Sequence, residues 1–90
     1  MWALFVMHKP EIPVAPAEIR EQHVKYLEKL RDEGKILANG RFLDGSGGLV
    51  LVPDCTEDEI RQLIEADPYY KEKVSDYTVK EWAGKIGQAF

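Results

Sequence analysis

A single cysteine, Cys55, stands among the 90 residues. One thiol excludes an internal disulfide framework and cannot by itself build a cysteine-based metal site. Histidine is nearly as scarce, and His8 and His23 do not make a metal site on spacing alone. Neither a metal nor an organic cofactor is expected. Basic residues are outnumbered, 12 against 16 acidic ones for a formal charge of −4, and they are scattered rather than gathered into a stripe. Such a balance leaves no electrostatic footprint for nucleic acid or for an anionic membrane. Long apolar runs are missing too. The stretch Trp2-Ala3-Leu4-Phe5-Val6-Met7 is too short to span a bilayer and has neither a positive leader nor a small-residue cleavage site. It reads as the first strand of a cytoplasmic protein. Nor is there a phosphate-binding glycine loop, since Gly45-Ser46-Gly47-Gly48 joins two expected strands and precedes no helix.

What is present reads as one small domain over residues 1–90, with a thin core. The nearly unbroken apolar start suits a central strand covered on both faces. Three prolines, Pro10, Pro13 and Pro16, then enforce an extended loop, with Pro16 fitting the first position of a helix. From Ala17 to about Glu33 the residues Ile19, His23, Tyr26, Leu27 and Leu30 recur at helical steps, and Gly34 supplies a left-handed stop. Lys35 to Leu43 and Leu49 to Val52 read as a hairpin around the turn Asp44 to Gly48. Gly40 then falls inside a strand, where a glycine marks a bulge or the close approach of another group. Thr56-Glu57-Asp58-Glu59 is a capping box that opens a helix with Ile60, Leu63 and Ile64 inward, and Asp67-Pro68 is its stop. Val74 to Trp82 alternates as a last strand, and the tail 83–90 either packs across a dimer or frays.

The order is βαββαβ, an α+β ferredoxin-like plait with an antiparallel sheet and both helices on one face. Its open sheet face calls for a cover, and a second copy of the chain is the expected one. The RNA-binding version of this plait needs aromatics flanked by basic residues on its central strands, and Phe42 has only Arg41 beside it.

His23 is the one reactive candidate. It lies on the apolar stripe between Ile19 and Leu27, where a leucine would pack better, and a local rule broken in this way marks a possible functional position. The competing reading is a core histidine bonded to backbone. Asp67 falls at the end of the second helix, where the dipole disfavours a carboxylate, and Pro68 forces it toward an extended conformation. Its plain reading is a helix stop. Should the two side chains meet across adjacent helices, the carboxylate fixes one imidazole nitrogen and leaves the other as a base. Arg20, one turn before His23, could hold an anionic or phenolic oxygen. Ser75 could donate toward the dyad. Tyr69 and Tyr70 read as core or rim aromatics, and Cys55 as a small apolar filler.

Arg20-x-x-His23, then Asp32-Glu33-Gly34-Lys35-Ile36-Leu37, Gly40, Ala66-Asp67-Pro68-Tyr69 and Val79-Lys80-Glu81-Trp82 resemble the YciI-like (YCII-related) family over nearly the whole chain. The resemblance implies a dimeric α/β-barrel form of the plait and an active site centred on His23 and Asp67. It makes Arg20, Gly40 and Ser75 candidate substrate-binding positions. One characterised branch of that family is a dehydrochlorinase of a chlorinated hydroxyhydroquinone, in which a serine helps orient the dyad. The hairpin here is shorter than in longer members. The resulting expectation is a homodimeric acid–base enzyme of lyase or isomerase type, acting on a small polar or phenolic molecule. Its rivals are a non-catalytic module that binds a metabolite or partner, and a cofactor-independent monooxygenase of the dimeric barrel type.

Overall fold

Residues 1–85 and 87 are described by the computed structural model. Along the chain run β1 (Trp2–His8), α1 (Ala17–Asp32), β2 (Ala38–Arg41), β3 (Gly47–Val52), α2 (Glu57–Glu65), α3 (Pro68–Lys71) and β4 (Ser75–Glu81). The sheet order is β2-β3-β1-β4 and every neighbouring pair is antiparallel, which is the ferredoxin-like plait. The tail expectation at residues 86 and 88–90 lies outside the described residues.

Register assigns the faces. Leu4 stands opposite Val50 and Val79, Val6 opposite Gly48 and Tyr77, and His8 opposite Ser75. This set faces the helices, and Leu4, Val6, Val50 and Val52 join Leu27, Leu30, Ile60 and Ile64 in the buried core. Leu4 is almost fully enclosed. Burying such a side chain contributes about 1.5–3 kcal/mol. Ala3, Phe5, Met7, Leu49 and Leu51 alternate onto the other face, where the ring of Phe5 stacks with that of Phe42.

Helix α1 begins one residue after Pro16, which serves as its N-cap, and after the C-cap Glu33 the chain turns away at Gly34 with φ +74°. Helix α2 opens at Thr56, whose side chain accepts from the Glu59 N–H at 3.1 Å. Four expectations need correction. Lys35 to Leu43 is not one long strand, because ladder pairing begins only at Ala38 and ends at Arg41. Gly47 and Gly48 are not turn residues but the start of β3. A Cβ on Gly47 would lie 2.2 Å from the Val6 carbonyl oxygen, at a φ of +152° that side-chain-bearing residues rarely adopt. The close approach anticipated at Gly40 belongs to its facing strand: a Cβ on Gly48 would come within 2.7 Å of the Gly40 carbonyl oxygen, whereas nothing lies within 4 Å of one on Gly40.

The fourth correction concerns Asp67-Pro68. Rather than only stopping α2, Asp67 is the N-cap of α3, with Pro68 at its first position and the Asp67 carboxylate accepting from the Tyr69 N–H at 2.9 Å. The carboxylate therefore meets a favourable helix start, not only an unfavourable helix end. Its extended ψ of 129° is what the following proline imposes.

Candidate active site

Helix α1 presents His23 with its side chain only 12% exposed. Its imidazole lies flat on the ring of Tyr69, centroids 3.7 Å apart and planes within 1°. The stack explains how a histidine occupies an apolar stripe, since one face of the ring is covered by an aromatic neighbour and its polar atoms lie at the edge. That edge points Nδ1 at Asp67 Oδ1, 2.7 Å away.

Asp67 is 3% exposed. A buried carboxylate is costly unless its oxygens are paired, and these are well paired. Oδ1 faces both His23 Nδ1 and the Tyr69 N–H, while Oδ2 accepts from the Tyr77 hydroxyl on β4. Burial, reinforced by Asp67, pushes the Tyr77 phenol far above the ordinary tyrosine value. It remains a donor at neutral pH. Tyr26 on α1 donates to the Leu63 carbonyl at 2.6 Å, and burial, with Asp67 adding to it, pushes its phenol up to about 12. Burial also raises the Tyr69 phenol, opposed by Arg20 and assisted by Asp67.

Because an ionised carboxylate only accepts, the proton between His23 and Asp67 sits on Nδ1 of the neutral ring, leaving a lone pair on Nε2. Nε2 has no hydrogen-bond partner among the described residues, and His23 lines a cavity of about 440 Å³. This cavity is walled by α1 through Arg20, Val24 and Arg31, by the loop before α1, and by β2 and β3. Three arginines, Arg20, Arg31 and Arg41, border it against one glutamate, Glu28. Arg31 donates to Asn39 Oδ1 at 2.9 Å, while neither Arg20 nor Arg41 has a carboxylate partner among the described residues. The wall has a net positive character suited to an anionic or phenolic oxygen.

The structure thus brings His23 and Asp67 into contact and sets Arg20 on the cavity rim. Gly40 borders the same cavity with its backbone, although its register with Leu49 puts its side-chain direction on the other sheet face. Ser75 is buried, but its hydroxyl contacts neither His23 nor Asp67; the second carboxylate oxygen is held by Tyr77 instead. Sequence reasoning missed Tyr77, Tyr69 and His8. Alternation along β4 carried a signal for Tyr77, and the step Leu4, Val6, His8 carried one for His8. The stacking of Tyr69 had no signal, because it depends on where α3 docks. No group of three His, Cys, Asp or Glu residues that could hold a metal occurs among the described residues. No helix among them is long and apolar enough to cross a membrane.

Comparison with known proteins places this geometry in context. The model of the YCII-related domain matches residues 1–83. The uncharacterized protein YjpA of Bacillus subtilis (strain 168) is 30% identical over 60 residues, covering 67% of this chain and 71% of that protein. Among solved structures, the fold is similar to 5-chloro-2-hydroxyhydroquinone dehydrochlorinase (TftG) from Burkholderia phenoliruptrix AC1100, in complex with 2,5-dihydroxybenzoquinone. The TM-score is 0.77 at 21% identity, over 93% of this chain and 94% of that one.

Proposed function

The chain belongs to the family of YCII-related domains, and from that premise we propose that it is a small-molecule enzyme using His23 as a general base. The observation that carries this reading is the 2.7 Å contact between His23 Nδ1 and a buried, triply bonded Asp67, with the opposite nitrogen unpaired beside a cavity. His23 Nε2 takes a proton from the bound molecule, and Asp67 stabilises the imidazolium that results. A leaving group then departs with its bonding electrons, or the proton returns elsewhere, giving elimination or isomerisation. Arg20 anchors an anionic or phenolic oxygen of the substrate, and the Gly40 backbone borders the substrate on the β2 side.

The substrate class is a small oxygenated ring, of which a chlorinated hydroxyhydroquinone is the first to try. A cavity of about 440 Å³ falls in the range of small-molecule sites. The open sheet face, with Phe5, Met7, Leu49 and Leu51 only partly buried, supports a homodimer in which a second copy covers it. The whole chain works as one domain, in the cytoplasm.

Chloride release from 5-chloro-2-hydroxyhydroquinone, followed for the wild type and for His23→Asn, tests the reading. Release that His23→Asn abolishes while the protein stays folded supports it. Oxygen uptake with a quinol in place of chloride release would point to a monooxygenase. Tight binding of 2,5-dihydroxybenzoquinone with no turnover of any halogenated or isomerisable ring would point to a binding module.

A further inference from the structure

His8 lies at the end of β1, on the same face as Leu4 and Val6, and borders the cavity that His23 lines. Its ring stands 6.4 Å from that of Tyr69, the residue on which His23 is stacked. Nδ1 of His8 is enclosed and has no hydrogen-bond partner among the described residues. Directly across the β1–β4 ladder stands Ser75, 6% exposed, whose hydroxyl oxygen is likewise enclosed and unpartnered. Unpaired polar atoms in an interior are rare, and each needs a reason. Here two of them belong to residues directly opposed across the ladder. Cβ atoms of directly opposed residues in an antiparallel pair lie about 5 Å apart, so a rotation of the serine side chain brings its hydroxyl to the imidazole.

We propose that His8 is a second substrate-contacting imidazole of the site, with Ser75 as its positioning residue. Ser75 donates its hydroxyl proton to His8 Nδ1, which fixes the ring's own proton on Nε2. Nε2 is not among the enclosed atoms and has no hydrogen-bond partner among the described residues, so its N–H is offered to an oxygen of the bound molecule. The two imidazoles then play opposite parts. His23, bonded to a carboxylate, presents a bare nitrogen that accepts, while His8, bonded to a hydroxyl, presents an N–H that donates. A ring with two oxygens, one losing its proton and the other gaining negative character, is the ligand this pairing fits. The inference rests on the proton-transfer reading of the cavity for that ligand.

Long-range proton–nitrogen NMR of the neutral imidazoles tests it in the free protein. His8 should carry its proton on Nε2 in the wild type, and Ser75→Ala should shift it toward a mixture of tautomers while His23 is unchanged. Binding of 2,5-dihydroxybenzoquinone should weaken about tenfold in His8→Leu and largely recover in His8→Gln, which keeps an N–H donor. A His8 tautomer indifferent to Ser75→Ala in a folded variant overturns the proposal, as does wild-type affinity in His8→Leu. The tautomer readout decides whether or not the quinone binds, and it does not depend on turnover. Failure of the base reading shows separately, as chloride release that survives in His23→Asn.

Discussion

On the helix-covered face of the sheet Leu4, Val6, Val50 and Val52 are each no more than 5% exposed, whereas Phe5, Met7, Leu49 and Leu51, alternating with them, stay only partly buried. The same strands supply both sets, so strand propensity does not distinguish them. Coverage does. The covered face also holds the buried polar machinery: His23, Asp67 and Tyr77 are joined there, with His8 and Ser75 opposed beside them. Groups that must exclude water are placed where two layers of this chain meet, and the second face of the sheet carries no helix among the described residues. One face is finished by the chain itself, and the other is an unfinished surface.

The largest expected effect separates chemistry from packing on the covered face. His23→Asn should lower turnover by about 10²–10⁴-fold, the range for a lost general base, with circular dichroism unchanged. Leu4→Ala, on the same face, should instead leave the chemistry nearly intact and destabilise the fold by about 2–5 kcal/mol in urea titrations. Next, Phe5→Asp should break the open face: self-association, read by analytical ultracentrifugation, should weaken on the order of 100-fold because a charge is carried into an apolar contact. Its effect on the isolated fold should be smaller than that of Leu4→Ala. Were Phe5→Asp to unfold the protein as severely, the distinction between the two faces would be lost.

How much of this was legible beforehand depended on whether a residue's neighbours in space are also neighbours in sequence. Helix α1, its stop at Gly34 and the Thr56 cap follow from local spacing, and they stand where they were expected. The alternation in β1 and β4 was equally readable. Helix α3 was not, because four residues cannot display a helical period, and Asp67-Pro68 looks the same as a stop and as a start. The extent of β2 is not legible locally, because Ile36 and Leu37 before it and Phe42 and Leu43 after it are apolar but lie outside the ladder that pairing with β3 defines. In the site, His23 and Asp67 could be nominated singly from broken local rules. Alternation along β4 puts Tyr77 on the covered face but does not bring it to Asp67, since a phenol meeting a carboxylate ten residues away depends on how α3 packs on β4.

Two smaller effects probe the covered face further. Tyr77→Phe removes one of the donors to Asp67 and should cost about 1.5–3 kcal/mol, the value of a hydrogen bond to a charged group. It should also loosen His23, seen as a broader imidazole signal. The smallest effect is alkaline. Tyr26 and Tyr77 hold their protons above the ordinary value of 10.0, Tyr26 to about 12, so the folded state keeps protons that the unfolded chain releases. Their contribution is fully present below about pH 10 and declines as pH rises through about 12. Urea midpoints measured alongside tyrosinate absorbance should fall over that window, and less steeply in Tyr77→Phe.

The most direct measurement is the tautomer of neutral His23 by long-range proton–nitrogen NMR. The expected result is a proton on Nδ1, held by Asp67, and a bare Nε2 toward the cavity, lost in Asp67→Asn. A proton found on Nε2 in the wild type would contradict it, because no lone pair would then face the substrate.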